Sequence, residues 1–224
     1  MFRLGPRPAV LALFGSLVFA ASAAHGEEGF EEVEIRSTEV AEGVHALMGR
    51  GGNMALSTGE DGPLLVDDQF APLTPRIVAA VRSIQDGPIR FVVNTHWHGD
   101  HTGGNENLGR RGALIVAHHR VRQRLARGLE SELRDRVIPP APDAALPVLT
   151  FGEDLTFHWN GLTIELQHVP SAHTDGDAVV WFREVDVVHA GDVYFNGFYP
   201  FIDLESGGSL DGILAAGERI LARA

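Results

Sequence analysis

The chain of 224 residues contains no cysteine, so neither disulfides nor thiolate metal sites hold it together, and any bound metal must rest on histidine and carboxylate. It has no Lys/Arg block of the kind that follows a phosphate backbone, and its formal charge is −12, which excludes nucleic acid as an expected partner. The densest basic stretch, Arg120, Arg122, Arg124 and Arg127, reads as the solvated face of a helix. Glycine and proline are plentiful but follow no period, so a collagen-like or disordered chain is excluded in favour of a loop-rich globular one. The only long apolar run, Ala9 to Ala21, is short for a bilayer-spanning helix.

That run has a different reading. Arg3 and Arg7 precede it, and small residues and Glu27-Glu28 follow it, the order of a secretory signal peptide. Residues 1–26 are expected to be removed, leaving 27–224 as one domain that is periplasmic or secreted and keeps no stable membrane anchor.

In the mature chain, short β-prone runs come first: Val33 to Ile35, Val44 to Leu47, Met54 to Ser57 and Pro63 to Asp67. Thr74 is placed to cap a helix with Pro75 at its first position and Ile77, Val78, Val81 and Ile84 on one face. Phe91-Val92-Val93 and Ala113 to Ala117 read as strands buried on both sides, the second followed by a helix from His119 to Leu129. Val137 to Pro147, with four prolines, reads as a loop long enough to border a binding site or to cross the surface, the second reading being favoured. Asn160-Gly161 between two β-prone runs is a two-residue hairpin signal. Ala178 to Phe182 and Val185 to His189 form a second pair, and Ser209 is placed to cap a helix burying Leu210, Ile213, Leu214, Ile220 and Leu221. The alternation predicts an α/β protein with helices outside two packed sheets.

Eleven histidines are present, and their clustering matters more than their number. The run His96-Trp97-His98-Gly99-Asp100-His101 follows a buried strand. At a strand end, side chains two apart project the same way, so His96 and His98 can chelate while Trp97 faces away. Gly99 is expected to turn the chain and deliver Asp100 and His101 to a second position nearby. Without a charge to organise them, such crowded polar side chains would be costly to bury.

Thr95-His96-x-His98-x-Asp100-His101 resembles the signature of the metallo-β-lactamase superfamily. Val66-Asp67-Asp68, Ala172-His173-Thr174-Asp175-Gly176-Asp177 and His189-Ala190-Gly191-Asp192 stand in the order of the family's other motifs. The resemblance implies a four-layered αββα sandwich of two mixed sheets with outer helices. It also implies that His96, His98 and His173 hold a first zinc and that Asp100, His101 and Asp192 serve a second, Asp192 as a bridge. Asp67 would order the metal loops. His45, His118, His119, His158, His168 and His189 lack ligand spacing and are read as structural. Family members carry a further His in a Pro-Gly-His-like stretch that is not found before Ala224, so the C-terminal end of the fold is expected to lie beyond the sequence.

These readings predict a hydrolase with one or two Zn2+ ions, iron and manganese being alternatives for the same donors. Zinc held by three histidines lowers the pKa of its water toward neutrality. The resulting hydroxide, oriented by Asp100, would attack the carbonyl of a small-molecule ester, thioester or amide. An exported β-lactam hydrolase fits the address. Asp192, where the best-known zinc lactamases have Cys or Ser, resembles instead the glyoxalase and general hydrolase branches. An iron-dependent oxygenase, or a non-catalytic metal-binding protein with an incomplete second site, is the reading from another class.

Overall fold

A computed structural model describes residues 29–131 and 135–223. The signal-peptide reading of residues 1–26 lies outside them, and among the described residues no helix is long and apolar enough to cross a membrane.

The first half builds a seven-stranded sheet. Its antiparallel part comprises β1 (Arg36–Ala41), β2 (Val44–Met48), β3 (Met54–Ser57) and β4 (Leu64–Val66). Helix α1 (Thr74–Ile84) then crosses over to β5 (Phe91–Asn94), which lies parallel to β4. Two short helices, α2 (Gly99–Thr102) and α3 (Asn105–Gly109), lead to β6 (Leu114–His118), parallel to β5. After α4 (His119–Arg127) come a small hairpin of β7 (Leu129–Ser131) and β8 (Arg136–Ile138), then β9 (Leu149–Phe151), parallel to β6. A second sheet follows, antiparallel throughout its described strands: β10 (Asp154–Trp159), β11 (Leu162–His168), β12 (Ala178–Phe182) and β13 (Val187–His189), with α5 (Leu210–Arg223) after it.

The period of two along each strand creates the layers. Leu64, Val66, Val93 and Val116 face Ile164, Leu166, Val180 and Phe182 between the sheets. Their neighbours Leu65, Val92 and Ile115 face Ile77 and Val81 of α1, and Val179 and Trp181 face Ile213 and Ala216 of α5. The order is thus helix, sheet, sheet, helix. Each fully buried side chain of this size contributes about 1.5–3 kcal/mol, so the inter-sheet layer and the layer under α1 both stabilise the fold substantially. Because β4, β5 and β6 run parallel, their C-terminal ends lie along one rim, and the loops leaving them share it.

Several local expectations are corrected. The first strand is Arg36–Ala41, not Val33 to Ile35; Val33 and Ile35 instead pack as loop residues against the α1 layer. Thr74 is inside α1 and Leu73 stands at its N-cap without a side-chain cap bond; the Thr74 hydroxyl accepts from Asn107 Nδ2. The helix after β6 stops at Arg127, where Gly128 has positive φ, so Leu129 begins a strand. Gly99 has a φ outside the positive region and opens α2; the glycines that the packing requires are Gly103 and Gly104, where a Cβ would strike the backbone of Gln69 and Asp68. Ser209 does cap α5, its Oγ accepting the Gly212 N–H at 3.0 Å. However, Leu210, Leu214 and Leu221 are exposed. A Cβ on Gly212 would collide with the Ser171 carbonyl, so Gly212 and Ala216 mark the close-packed side and Leu210, Leu214 and Leu221 turn away from it.

Candidate metal centre

The rim receives side chains from both halves. Residues 95–98 leave β5 as an irregular bend rather than continuing the strand, yet His96 and His98 converge as their spacing suggested. His96 Nε2 lies 3.2 Å from His98 Nδ1. His173, in the loop between β11 and β12, brings its Nε2 to 2.9 Å from the same His98 nitrogen. Trp97 points the other way, packing with Ala117 and Val121.

A second group shares His96. His101, on α2, and Asp192, just after β13, join it so that one donor atom from each lies within 4.8 Å of the others; the same holds for His96, His98 and His173. Asp192 stands between the groups, with Oδ1 3.2 Å from His101 Nε2 and Oδ2 3.7 Å from His173 Nε2. Asp100 is at the edge, its Oδ2 3.6 Å from His101 Nε2 and its side chain about a third exposed. It belongs to neither compact group.

The outward-facing ring atoms define the protonation pattern. His98 Nε2 donates to Asp203 Oδ2 (2.8 Å) and His173 Nδ1 to the Phe201 carbonyl (2.7 Å). His101 Nδ1 donates to Asp67 Oδ2 (2.7 Å). The Thr95 hydroxyl donates to Asp67 Oδ2, which leaves its oxygen to accept from His96 Nδ1 at 3.1 Å. With one N–H committed outward, His96, His98 and His173 in their neutral forms each turn a lone pair inward. Lone pairs 2.9–3.2 Å apart repel, and His101 Nε2 is buried without a hydrogen-bond partner. A cation relieves both conditions, so the donor set fits divalent metal ions bound through nitrogen and oxygen.

Electrostatics agree. Burial, reinforced by His101, His98 and His173, holds His96 well below the ordinary imidazole range. Burial also lowers His173. For His101 burial acts downward, but Asp67 and Asp192 prevail and hold it well above. Burial would raise Asp192, yet His101, His173 and His98 keep it low. The second group is therefore a pocket that demands one positive charge, met by a proton on His101 or by a metal.

Asp67 performs the ordering role implied for it. Fully buried at a positive φ, it accepts from Thr95 N and Oγ1 and from His101. Asp68 beside it accepts the Gly104 N–H at 2.9 Å. Sequence reasoning missed three contributors. Asp203 has no local motif. Phe201 acts through its backbone, which leaves no trace in residue type. Gly52, between β2 and β3, lies so close to the His101 ring that no Cβ fits there.

A cleft of about 850 Å³ opens over His98, Asp100 and Asp192, with Phe70, Leu125, Val137, Ile138, Phe195 and Phe201 among its walls. The segment Val137 to Pro147, expected to cross the surface, thus borders the site. A second, largely apolar groove of about 990 Å³ reaches His101 and Asp192 from the β13 side, past His189 and Tyr194.

A family profile described as the metallo-beta-lactamase superfamily matches residues 48–219. The lactamase-like protein aptB of Emericella nidulans is 27% identical over 175 residues, 74% of this chain and 50% of that protein. A hydroxyacylglutathione hydrolase of Nitrosococcus oceani is 35% identical over 82 residues, 36% of this chain and 30% of that protein. The chain spans about half the length of the fungal relatives it matches. Among solved structures, a metallo-beta-lactamase from Pontibacter korlensis superposes with a TM-score of 0.67 at 20% identity, covering 85% of this chain and 86% of that one. One from Cronobacter sakazakii with a HARLDQ motif gives 0.66 at 22%, covering 83% and 73%. With its layered fold, its paired His/Asp groups and a family match across most of its length, the chain belongs to the metallo-beta-lactamase superfamily.

Proposed function

We propose that this chain is an exported zinc-dependent hydrolase that cleaves a carbonyl ester, thioester or amide of a small molecule. The observation that carries the reading is the paired donor groups sharing His96, with inward lone pairs, at the floor of a cleft. His96, His98 and His173 would hold one ion, and His101 and Asp192, with Asp100 beside them, would hold a second. Zinc in such a set supplies Lewis acidity and acidifies water to near-neutral pKa. The protein's own residues do the rest. Asp100, partly exposed at the cleft floor, is placed to orient the attacking water and accept its proton. Asp67 and Asp203 keep the imidazole N–H groups pointing outward. Phe195, Phe201, Val137 and Ile138 would supply apolar walls beside a reacting carbonyl.

An acyl substrate is supported by the partial match to hydroxyacylglutathione hydrolases, and a periplasmic address by the order of charge, apolar run and small residues at the N-terminus. Elemental analysis of the purified full chain, with turnover of a chromogenic cephalosporin, an aryl ester and a thioester before and after chelation, tests the reading. Zinc content with chelator-sensitive hydrolysis supports it, and iron with oxygen consumption points to the oxygenase. Protein that retains no metal after soaking, or a His98→Ala variant with full rate, refutes it. N-terminal sequencing of exported protein that still begins at Met1 would refute cleavage.

A further inference from the structure

His98 differs from the other three histidines. It turns Nδ1, not Nε2, toward the shared centre, and its side chain is the one that packing leaves 14% exposed. Its inward Nδ1 offers a lone pair only in the Nε2–H tautomer. A neutral histidine whose ring is turned over would present the wrong atom, or an N–H, to a metal.

The selecting contact comes from the loop before α5. Asp203, 1% exposed, accepts His98 Nε2–H at 2.8 Å. Its same oxygen accepts the Ser206 hydroxyl at 2.6 Å, and Ser206 Oγ in turn accepts Trp97 Nε1–H at 3.1 Å. Trp97 is the residue between His96 and His98, so the chain of bonds closes on the segment it serves. The Asp203 backbone is tied in as well: its N–H donates to the His173 carbonyl, and its carbonyl accepts from Ser206 and Gly208. Two residues earlier, the Phe201 carbonyl accepts His173 Nδ1–H. One loop thereby sets the ring orientation of two of the three histidines in the first group. A buried carboxylate is costly unless hydrogen bonds compensate it, and the bonds to Asp203 Oδ2 include the one from the His98 ring.

We infer that Asp203, held by Ser206 and Trp97, is the positioning residue that fixes His98 as the Nε2–H tautomer and so completes the first metal group. The inference rests on the metal-site reading above and adds a residue to it. An outer-shell partner of this kind changes metal affinity by roughly 10–100-fold.

The experiment is zinc competition against a chromophoric chelator on the full chain, for the parent, Asp203→Asn, Asp203→Ala and Ser206→Ala, each checked for folding by circular dichroism. Asp203→Asn keeps an acceptor but loses the charge, and about a 10-fold weaker first zinc is expected; Asp203→Ala is expected to reach about 100-fold. Ser206→Ala should weaken zinc less than either and alter the visible spectrum of the cobalt-substituted protein. The parent also carries a test that no unfolded variant can obscure. Long-range ¹⁵N–¹H correlation of its imidazoles, with zinc bound, should show His98 protonated on Nε2. If that nitrogen carries no proton, or if folded Asp203→Ala binds zinc within twofold of the parent, the inference is overturned. A parent that binds no zinc would instead overturn the metal-site reading itself.

Discussion

Acidification should destabilise this fold through one histidine outside the two donor groups. His118, 1% exposed at the end of β6, is the N-cap of α4: its Nδ1 accepts the Arg120 N–H while its Nε2–H donates to the Gly152 carbonyl. Its ring is stacked on His168 at 3.8 Å and adjoins His119 at 4.2 Å. A proton on Nδ1 would remove the cap, place a cation at a helix N-terminus and set it against a second imidazole. Burial, then the His168 neighbour, pushes His118 down from 6.5 to about 4. The depressed value sets the sign: the unfolded chain takes up the proton first, so stability is intact above pH 6.5 and declines as pH falls toward 4, where the loss ends. Between pH 7 and pH 5 the linkage amounts to about 2 kcal/mol, and over the whole window to about 3 kcal/mol. Urea melts of the parent and of His118→Asn, which retains a capping side chain, should separate this contribution from the general effect of charge. The parent should lose about 2 kcal/mol more than the variant between pH 7 and pH 5. Equal losses in the two proteins would refute the reasoning.

Two further outcomes follow from backbone geometry. A Cβ at Gly52 has no room beside the His101 ring, so Gly52→Ala should displace His101 and reduce zinc stoichiometry by about one ion while sparing the first group, read by elemental analysis of folded protein; unchanged stoichiometry would show that the β2–β3 turn yields instead. Asn160 and Gly161 both adopt positive φ in the β10–β11 turn, and Gly161 has open space around it. Gly161→Ala should therefore cost about 1 kcal/mol from backbone strain alone, measured as a lower urea midpoint with unaltered zinc content.

What could be read in the sequence, and what could not, divides along a physical line. The ligand run His96 to His101 was legible because its donors are near neighbours directly after a buried strand, although a bend and α2, rather than the strand itself, present them. Asn160-Gly161 was legible because its two residue types tolerate the left-handed backbone that the turn needs, and the buried strands β5 and β6 because parallel strands covered on both faces read as continuous apolar runs. Thr74 misled because Thr-Pro at a helix start admits two registers one residue apart, and the bond from Asn107 that decides between them comes from another helix. The exposed face of α5 misled because its leucines recur at helical spacing on more than one side. Only the close approach of Gly212 to Ser171 determines which side is covered.

The candidate site itself falls on both sides of that line, for a topological reason. Its inner donors lie at strand ends on one rim, where local chemistry dictates position. The groups that orient them, Asp67, Asp203 and the Phe201 carbonyl, reach the same rim from segments 28 to 105 residues away along the chain. Asp67 is marked by its Val66-Asp67-Asp68 motif, but Asp203 is indistinguishable in sequence from any surface acid, because what singles it out is the imidazole N–H that the fold brings to it. His98 therefore announces a metal site by its spacing, while the atom with which it would bind depends on a residue that only the fold delivers.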